Sequence, residues 1–384
     1  MSDKKIILLF TDWYEPGYKA GGPIRSCHNI VQAFSSEYLF RIVTSDRDLG
    51  DTAPYPGIIA DRWTDAEHDV KIYYASPERL TNQVIAGMLK EINPSVVYLN
   101  SMFSLTFTLR PLWVVWKLNF KVRLILAPRG MLKASALAHK KWKKKAFLRF
   151  FSVGGMRSRV VFHATDDQEK TEILQQFGPT TRVEVASNLP GITHKPAKRI
   201  KAENEAKIVF LSRIHPIKNL LFGLELMQSL KPSRQISFDI YGYIGDDTYY
   251  QRCFEAARRL ENKIDVQFLG EVEHSEVEEV LQRYHLFFLP TRGENFGHAI
   301  FEALASGCPV LISDQTPWKG LEEAGAGWAI PLSEPGKFIS AIERLYGMDQ
   351  VEFDECSMKA VQFAEKHVSE FALRENYFAL FEGK

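Results

Sequence analysis

The stretch Pro290–Pro309, PTRGENFGHAIFEALASGCP, joins what reads as a buried strand to a helix and sets charge at the junction. His285-Leu286-Phe287-Phe288-Leu289 before it is a short apolar run suited to a buried parallel strand, and Pro290, lacking an N–H, ends the ladder pairing. Beyond the turn Arg292-Gly293-Glu294, residues Phe296 to Gly307 space their apolar side chains at helical intervals and stop at a glycine. The first amides of a helix lack intrahelical partners and stand at the positive end of its dipole, so the junction is suited to an anion. Glu294 and Glu302 are eight positions apart, which at about 100° per residue returns the second to within roughly 80° of the first, so both can face one cleft. The plain alternative is a helix-start acid and a solvated helix acid. Against it, Glu302 lies between Phe301 and Ala303 in an apolar segment, and Gly297 lets a ligand approach the backbone.

Apolar runs separated by helical segments recur on both sides of this stretch. Ile6–Phe10, Phe40–Thr44, Val70–Tyr74, Val96–Leu99, Val122–Ala127, Val160–His163 and Val183–Ala186 are strand candidates in the first half; Ile208–Ser212, Ile236–Tyr241, Val266–Leu269, Leu286–Leu289 and Val310–Ser313 are those of the second. Such alternation predicts an α/β protein of two doubly wound, Rossmann-like domains, and 384 residues suffice for two cores. The expected boundaries are 1–190, a polar Pro- and Gly-bearing linker at 191–206, 207–365, and a C-terminal helix at 366–384 packing back on the first domain. Thr165 with Gln168 and Ser275 with Glu278 have the spacing of helix capping boxes, and Asp246-Asp247 reads as a helix start.

Composition excludes several classes. Lys and Arg total 48 and Asp and Glu 47, a net charge of +1 that lacks the basic excess of a general nucleic-acid binder. Cys27, Cys253, Cys308 and Cys356 lie far apart with no zinc spacing, which fits a reducing compartment. The N-terminal apolar run is too short for a signal peptide and no run reaches membrane-spanning length, so a cytoplasmic protein is expected. Neither GxGxxG before a helix nor GxxxxGK[ST] is present.

Two further loops carry candidate chemistry. Gly21-Gly22 stands between the first strand and a helix, where a paired glycine lets backbone amides approach a phosphate or sugar. Arg213 and Lys218 in SRIHPIKN follow the first strand of the second half, at the sheet end where open α/β folds bind ligands. A guanidinium fork and an ammonium point charge, with the amides at 296–299, could cradle a diphosphate without a metal.

SRIHPIKN followed by ENFGHAIFE, with its two glutamates, resembles the retaining glycosyltransferases of family 4, which have the GT-B fold of two facing Rossmann-like domains. HATDDQE at 163–169, SNLP at 187–190, IYGYIGDD at 240–247, FLGEV at 268–272 and GCPVLIS at 307–313 fall in the family's order. The resemblance implies transfer of a sugar from a nucleotide-diphosphate sugar to a hydroxyl acceptor, a glycan or a lipid-linked one, in bacterial surface polysaccharide synthesis. It implies no cofactor and no metal. Position by position, Arg213 and Lys218 would hold the diphosphate with the amides of Phe296, Gly297, His298 and Ala299; Glu302 the ribose; Glu294 the donor sugar; the Val272 backbone the base; and Gly22 would approach the phosphates. Where relatives often carry histidine, this chain has Arg129 and Asn100, so these two are expected to contact acceptor or sugar. Rival readings are a nucleotide-sugar epimerase of the same fold and a catalytically silent sugar-nucleotide binder. Finally, His139–Phe151 is basic with interleaved aromatics, either a solvated helix face or a contact with anionic membrane.

Overall fold

The computed structural model describes residues 4–133, 137, 141–153, 155–189, 191, 198–230, 235–261, 263–367 and 370–383. The chain divides into two compact units, Met1–Leu189 with Glu370–Lys384, and Pro190–Ser369.

The first unit is built on a sheet of β1 (Ile6–Phe10), β2 (Leu39–Ser45), β3 (Trp63–Asp65), β4 (Lys71–Ala75), β5 (Val96–Leu99), β6 (Arg123–Leu126), β7 (Val160–Ala164) and β8 (Val183–Val185), in the order β3-β4-β2-β1-β5-β6-β7-β8. All neighbours are parallel except β3, which pairs antiparallel with β4. The apolar-run reading misses this edge strand because only Trp63 of its three residues is even half-buried. The central runs are buried along their whole length, as parallel strands covered on both faces must be, and separate cores line the two faces. The helix Glu370–Glu382 closes one of them: Tyr377, Leu380 and Phe381 are buried among Phe34, Tyr38 and Tyr98, and Arg374 pairs with Glu37 at 2.6 Å while lying over the Phe34 ring. Burying each large side chain contributes about 1.5–3 kcal/mol.

The second unit has β9 (Ala206–Leu211), β10 (Ile236–Tyr241), β11 (Asp265–Gly270), β12 (Leu286–Leu289), β13 (Val310–Ser313) and β14 (Gly327–Ile330), all parallel, in the order β11-β10-β9-β12-β13-β14. The chain runs outward from β9 to β11, then returns to place β12 on the other side of β9. That reversal is a topological switch point, where the loops after adjacent strands diverge and leave a crevice. In the first sheet it falls between β1 and β5. Residues 192–197 of the expected linker lie outside the described residues. From 198 the chain is tied to the second unit: the buried Arg199 guanidinium donates to the carbonyls of Ser306, Gly307 and Leu281, and the Lys201 ammonium to those of Ala202, Tyr346 and Met348.

Two helix starts differ from expectation. Asp166, not Thr165, caps the helix Asp167–Phe177 by accepting from the Glu169 amide, and it is Glu169, not Gln168, that reaches back to Thr165. The aspartate sits one residue nearer the first helical turn and outcompetes the threonine hydroxyl, which donates to Glu169 instead. The helix His274–Leu281 starts at Glu273 with no side-chain cap, so Ser275 and Glu278 form no capping box and lie inside the helix. Asp246 does cap its helix, accepting from the Tyr249 amide.

Candidate active site

Arg213 follows β9 and Glu294 follows β12, so the switch point of the second sheet brings together two loops far apart in sequence. Their backbones are fastened to each other. The Arg292 amide donates to the Ile217 carbonyl at 2.7 Å, the Thr291 hydroxyl to the same oxygen at 3.0 Å, and the Glu294 amide to the Gln315 carbonyl at 3.0 Å. Across this seam the Lys218 ammonium donates to the Glu294 carboxylate, an ion pair whose side chains are 18% and 11% exposed. Burial lowers the Arg213 pKa from its ordinary value, opposed by Glu294 and Tyr243. Glu294 is therefore the shared negative neighbour of both predicted cations.

Glycines of IYGYIGDD make this closeness achievable. A Cβ on Gly242 would lie 1.9 Å from the Ser212 carbonyl oxygen, and one on Gly245 only 2.8 Å from Cδ of Arg213. Asn219, in the left-handed conformation with φ 60°, turns the chain into the helix Leu220–Met227 and accepts from Arg292 Nε at 3.3 Å. Asn219, Gly242 and Gly245 are absent from the sequence-based site. Asn219 directly follows Lys218 and the glycines sit in a motif already noted, but their function is to shape backbone, which residue chemistry does not announce.

The helix His298–Ala305 starts at Gly297, whose φ of 82° favours glycine. Ile300 and Phe301 amides both donate to its carbonyl. Phe296 anchors the turn inside an aromatic cluster with His298, Phe301 and Trp318, whose indole N–H donates to the Phe296 carbonyl. Ala299 is half-buried beside His298, and Val272, after β11, packs half-buried on the unit's core. Glu302, one turn into the helix, is 21% exposed, and His274 of a neighbouring helix approaches it with Nδ1 3.9 Å from the carboxylate. That histidine is another residue the sequence reading omits. Among the described residues, no group of three His, Cys, Asp or Glu is placed to hold a metal.

Gly22, Asn100 and Arg129 belong to the first unit. Gly22 opens the helix Gly22–Phe34, entered through Gly21 at φ 66°. Arg129, itself at φ 54°, donates Nε to Asn100 at 2.7 Å, one terminal nitrogen to Asn188 and the other to the Tyr98 phenol at 2.8 Å. Asn100 in turn donates to Thr11 at 3.3 Å and to the Pro23 carbonyl at 3.4 Å. Burial would lower the Arg129 pKa, but surrounding groups including Tyr98 and Glu169 outweigh it and hold it above the ordinary value. Tyr98 passes the chain of donors to His163 Nδ1 at 2.7 Å, while Nε2 contacts the Ala186 carbonyl at 2.7 Å. A carbonyl only accepts, so Nε2 carries the proton and the ring is neutral. Its pKa is pushed down to about 3 by burial, assisted by Arg129.

Residues 192–357 match the model of the family described as Glycosyl transferases group 1. Sheet orders, switch points and the structural likeness define the class: a protein of GT-B fold whose second unit carries the match to that family's model. Over 150 residues, 39% of this chain, it is 32% identical to a protein of Bacillus subtilis (strain 168) provisionally assigned as the glycosyltransferase EpsF. The chain spans about two fifths of that relative's length. Among solved structures, it is similar to sucrose-phosphate synthase from Thermosynechococcus elongatus, with TM-score 0.71, 14% identity and coverage of 99% and 100% of the two chains. It is also similar to Anabaena HepE in complex with UDP and glucose, with TM-score 0.69, 16% identity and the same coverage.

Proposed function

We propose that the chain is a retaining glycosyltransferase of family 4 that moves a sugar from a nucleoside-diphosphate sugar to a hydroxyl of a glycan or lipid-linked acceptor in bacterial surface polysaccharide synthesis. The observation that carries this reading is the meeting of Arg213, Lys218 and Glu294 at the switch point of the second sheet, within the segment that matches the transferase family. Departure of a nucleoside diphosphate develops negative charge on its bridging oxygen, and two cations beside a helix N-terminus stabilise that charge as it forms. Charge compensation then comes from side chains and amides, so the reaction proceeds without a metal. Retention follows if the acceptor enters from the face the diphosphate leaves, its hydroxyl proton passing to the departing phosphate oxygen. Glu302 holds the ribose and Glu294 the sugar. HepE, bound to UDP and glucose, supports a donor of this class.

The acceptor class is supported by the helix Lys141–Val153, KWKKKAFLRFFSV, which has five basic residues and no acidic one. His139 and Lys140 of the basic run lie outside the described residues, as do the side chains of Lys141, Lys143, Lys145 and Phe150. Leu148 and Phe151 enter the core, Phe147 packs on Phe103, and Trp142 stands 85% exposed. No helix among the described residues is long and apolar enough to cross a membrane, so contact with an anionic bilayer would be peripheral, from the cytoplasmic side. The decisive experiment measures nucleoside-diphosphate release from a panel of UDP- and GDP-sugars, with and without acceptors and with EDTA present. Acceptor-dependent release in EDTA supports transfer; interconversion of donor sugars without release would indicate an epimerase, and donor binding with neither reaction a silent binder.

A further inference from the structure

Glu294 and Lys218 come from loops 76 positions apart, and their ion pair spans the seam between the loops that follow β9 and β12. Thr291 and Arg292 tie the seam together by donating to Ile217, and Glu294 is held through its amide by Gln315 in the loop after β13. Rotation of the two side chains suffices to separate carboxylate from ammonium. Arg213 lies on the same loop as Lys218, and the Glu294 charge opposes the lowering of its pKa by burial. One carboxylate thus neutralises Lys218 and lies in the field of Arg213, lowering the net charge where a diphosphate would sit. A phosphate and a carboxylate cannot both occupy the same cations without like-charge repulsion.

We propose that Glu294 is the resident counter-ion of this anion site, exchanged for the diphosphate when a donor binds and returned to Lys218 when the sugarless diphosphate leaves. The proposal rests on the nucleotide-sugar reading above and adds a selectivity device to it. With an intact donor, the displaced carboxylate accepts hydrogen bonds from the sugar hydroxyls. With the bare diphosphate it has lost its cation with no sugar hydroxyl in exchange, so it favours expulsion. Glu294 therefore determines specificity between substrate and product as well as orienting the sugar.

Calorimetric titration of the full chain with inorganic pyrophosphate, UDP and GDP tests this. Glu294→Gln, which keeps the shape and removes the charge, should bind pyrophosphate and the preferred nucleoside diphosphate about tenfold tighter than wild type, the low end for a close charge pair. In a Lys218→Met background the same substitution should gain less than about threefold, since the pair it would release is gone. A folded Glu294→Gln variant, verified by its melting curve, that binds pyrophosphate no tighter than wild type overturns the proposal. So does an equal gain with and without Lys218, or pyrophosphate binding to neither protein. If pyrophosphate tightens but neither UDP nor GDP exceeds it, the counter-ion stands and the nucleotide-sugar reading falls. If UDP or GDP binds well above pyrophosphate, yet is unchanged by the substitution, the nucleotide-sugar reading stands and the counter-ion falls.

Discussion

Each sheet has a cation near the carboxyl ends of its central strands, and the two are held differently. In the first unit Arg129 commits its donors to Asn100, Asn188 and Tyr98, all neutral groups of its own unit, and the Glu169 carboxylate acts on it only through space. In the second, Lys218 is paired with a carboxylate on a neighbouring loop, Glu294, whose charge also acts on Arg213. Satisfaction by several fixed neutral acceptors makes a brace, because removing the cation leaves each acceptor stranded. Satisfaction by one displaceable counter-charge makes a site, because an incoming anion can take the carboxylate's place. The arrangement gives Arg129 and Asn100, expected from the resemblance as acceptor or sugar contacts, a structural task as well.

The contrast breaks first at Arg129. Arg129→Met should destabilise the first unit by about 3–5 kcal/mol, as two amide oxygens and a phenol lose a buried donor; denaturant unfolding measures it. Unchanged stability with lost turnover would make Arg129 a ligand-binding cation after all. Arg213→Ala should do the reverse, costing about 2.7–4 kcal/mol of transition-state stabilisation, roughly 100- to 1000-fold in turnover, at nearly constant stability.

The two units also differ in acid. His163 belongs to the Arg129 brace, while His285 in the second unit is pushed down to about 4, mainly by burial. Unfolded, each binds a proton below its ordinary value of 6.5; folded, His163 does so only near 3. Unfolding therefore takes up protons throughout the intervening range. The contribution is full above 6.5 and is lost as pH falls toward 3 for His163 and toward 4 for His285, by up to about 1.4 kcal/mol per pH unit each. Hydrogen exchange at about pH 7 and pH 5 should show protection falling in both units, and continuing to fall in the first below about pH 4.

Smaller effects sharpen the site side of the contrast. Glu302→Ala should weaken bare nucleoside-diphosphate binding about tenfold through the ribose, opposite in sign to removal of the Glu294 charge. Equal signs in the two titrations would undo the division of labour. Smallest, and most dependent on salt, is the membrane contact: Lys143, Lys144 and Lys145 changed to Ser should abolish co-sedimentation with anionic liposomes, about 1 kcal/mol per charge. Co-sedimentation equal to wild type would return the helix to a solvated face.

Much of the fold is legible in the chain alone. Buried parallel strands such as Leu286–Leu289 and Val310–Ser313 declare themselves by uninterrupted apolar runs, and strand-helix alternation dictates the doubly wound sheets. The β9–β12 adjacency that unites SRIHPIKN with ENFGHAIFE is a matter of strand order, which local pattern does not encode; the rule that open sheets bind ligands at their carboxyl ends and the family resemblance are what join them. Hydrogen-bond commitment is likewise hidden. A cation after a strand looks the same in sequence whether its donors are taken up by neutral acceptors, as in Arg129, or by a carboxylate, as in Lys218. Short polar strands such as Trp63–Asp65 escape because their pairing, not their burial, defines them.

The helix Glu370–Glu382 has one more consequence. It completes the first unit, although the whole of the second, Pro190–Ser369, intervenes in the chain. On a ribosome, domains commonly fold in the order they emerge, at about 5–20 residues per second. Here the part begun first must be finished last. The second unit is contiguous and can fold while Phe34, Tyr38 and Tyr98 still await the side chains of Tyr377, Leu380 and Phe381. For roughly ten seconds or more at that rate, the nascent first unit carries an uncovered aromatic surface, an opening for chaperones and a hazard without them.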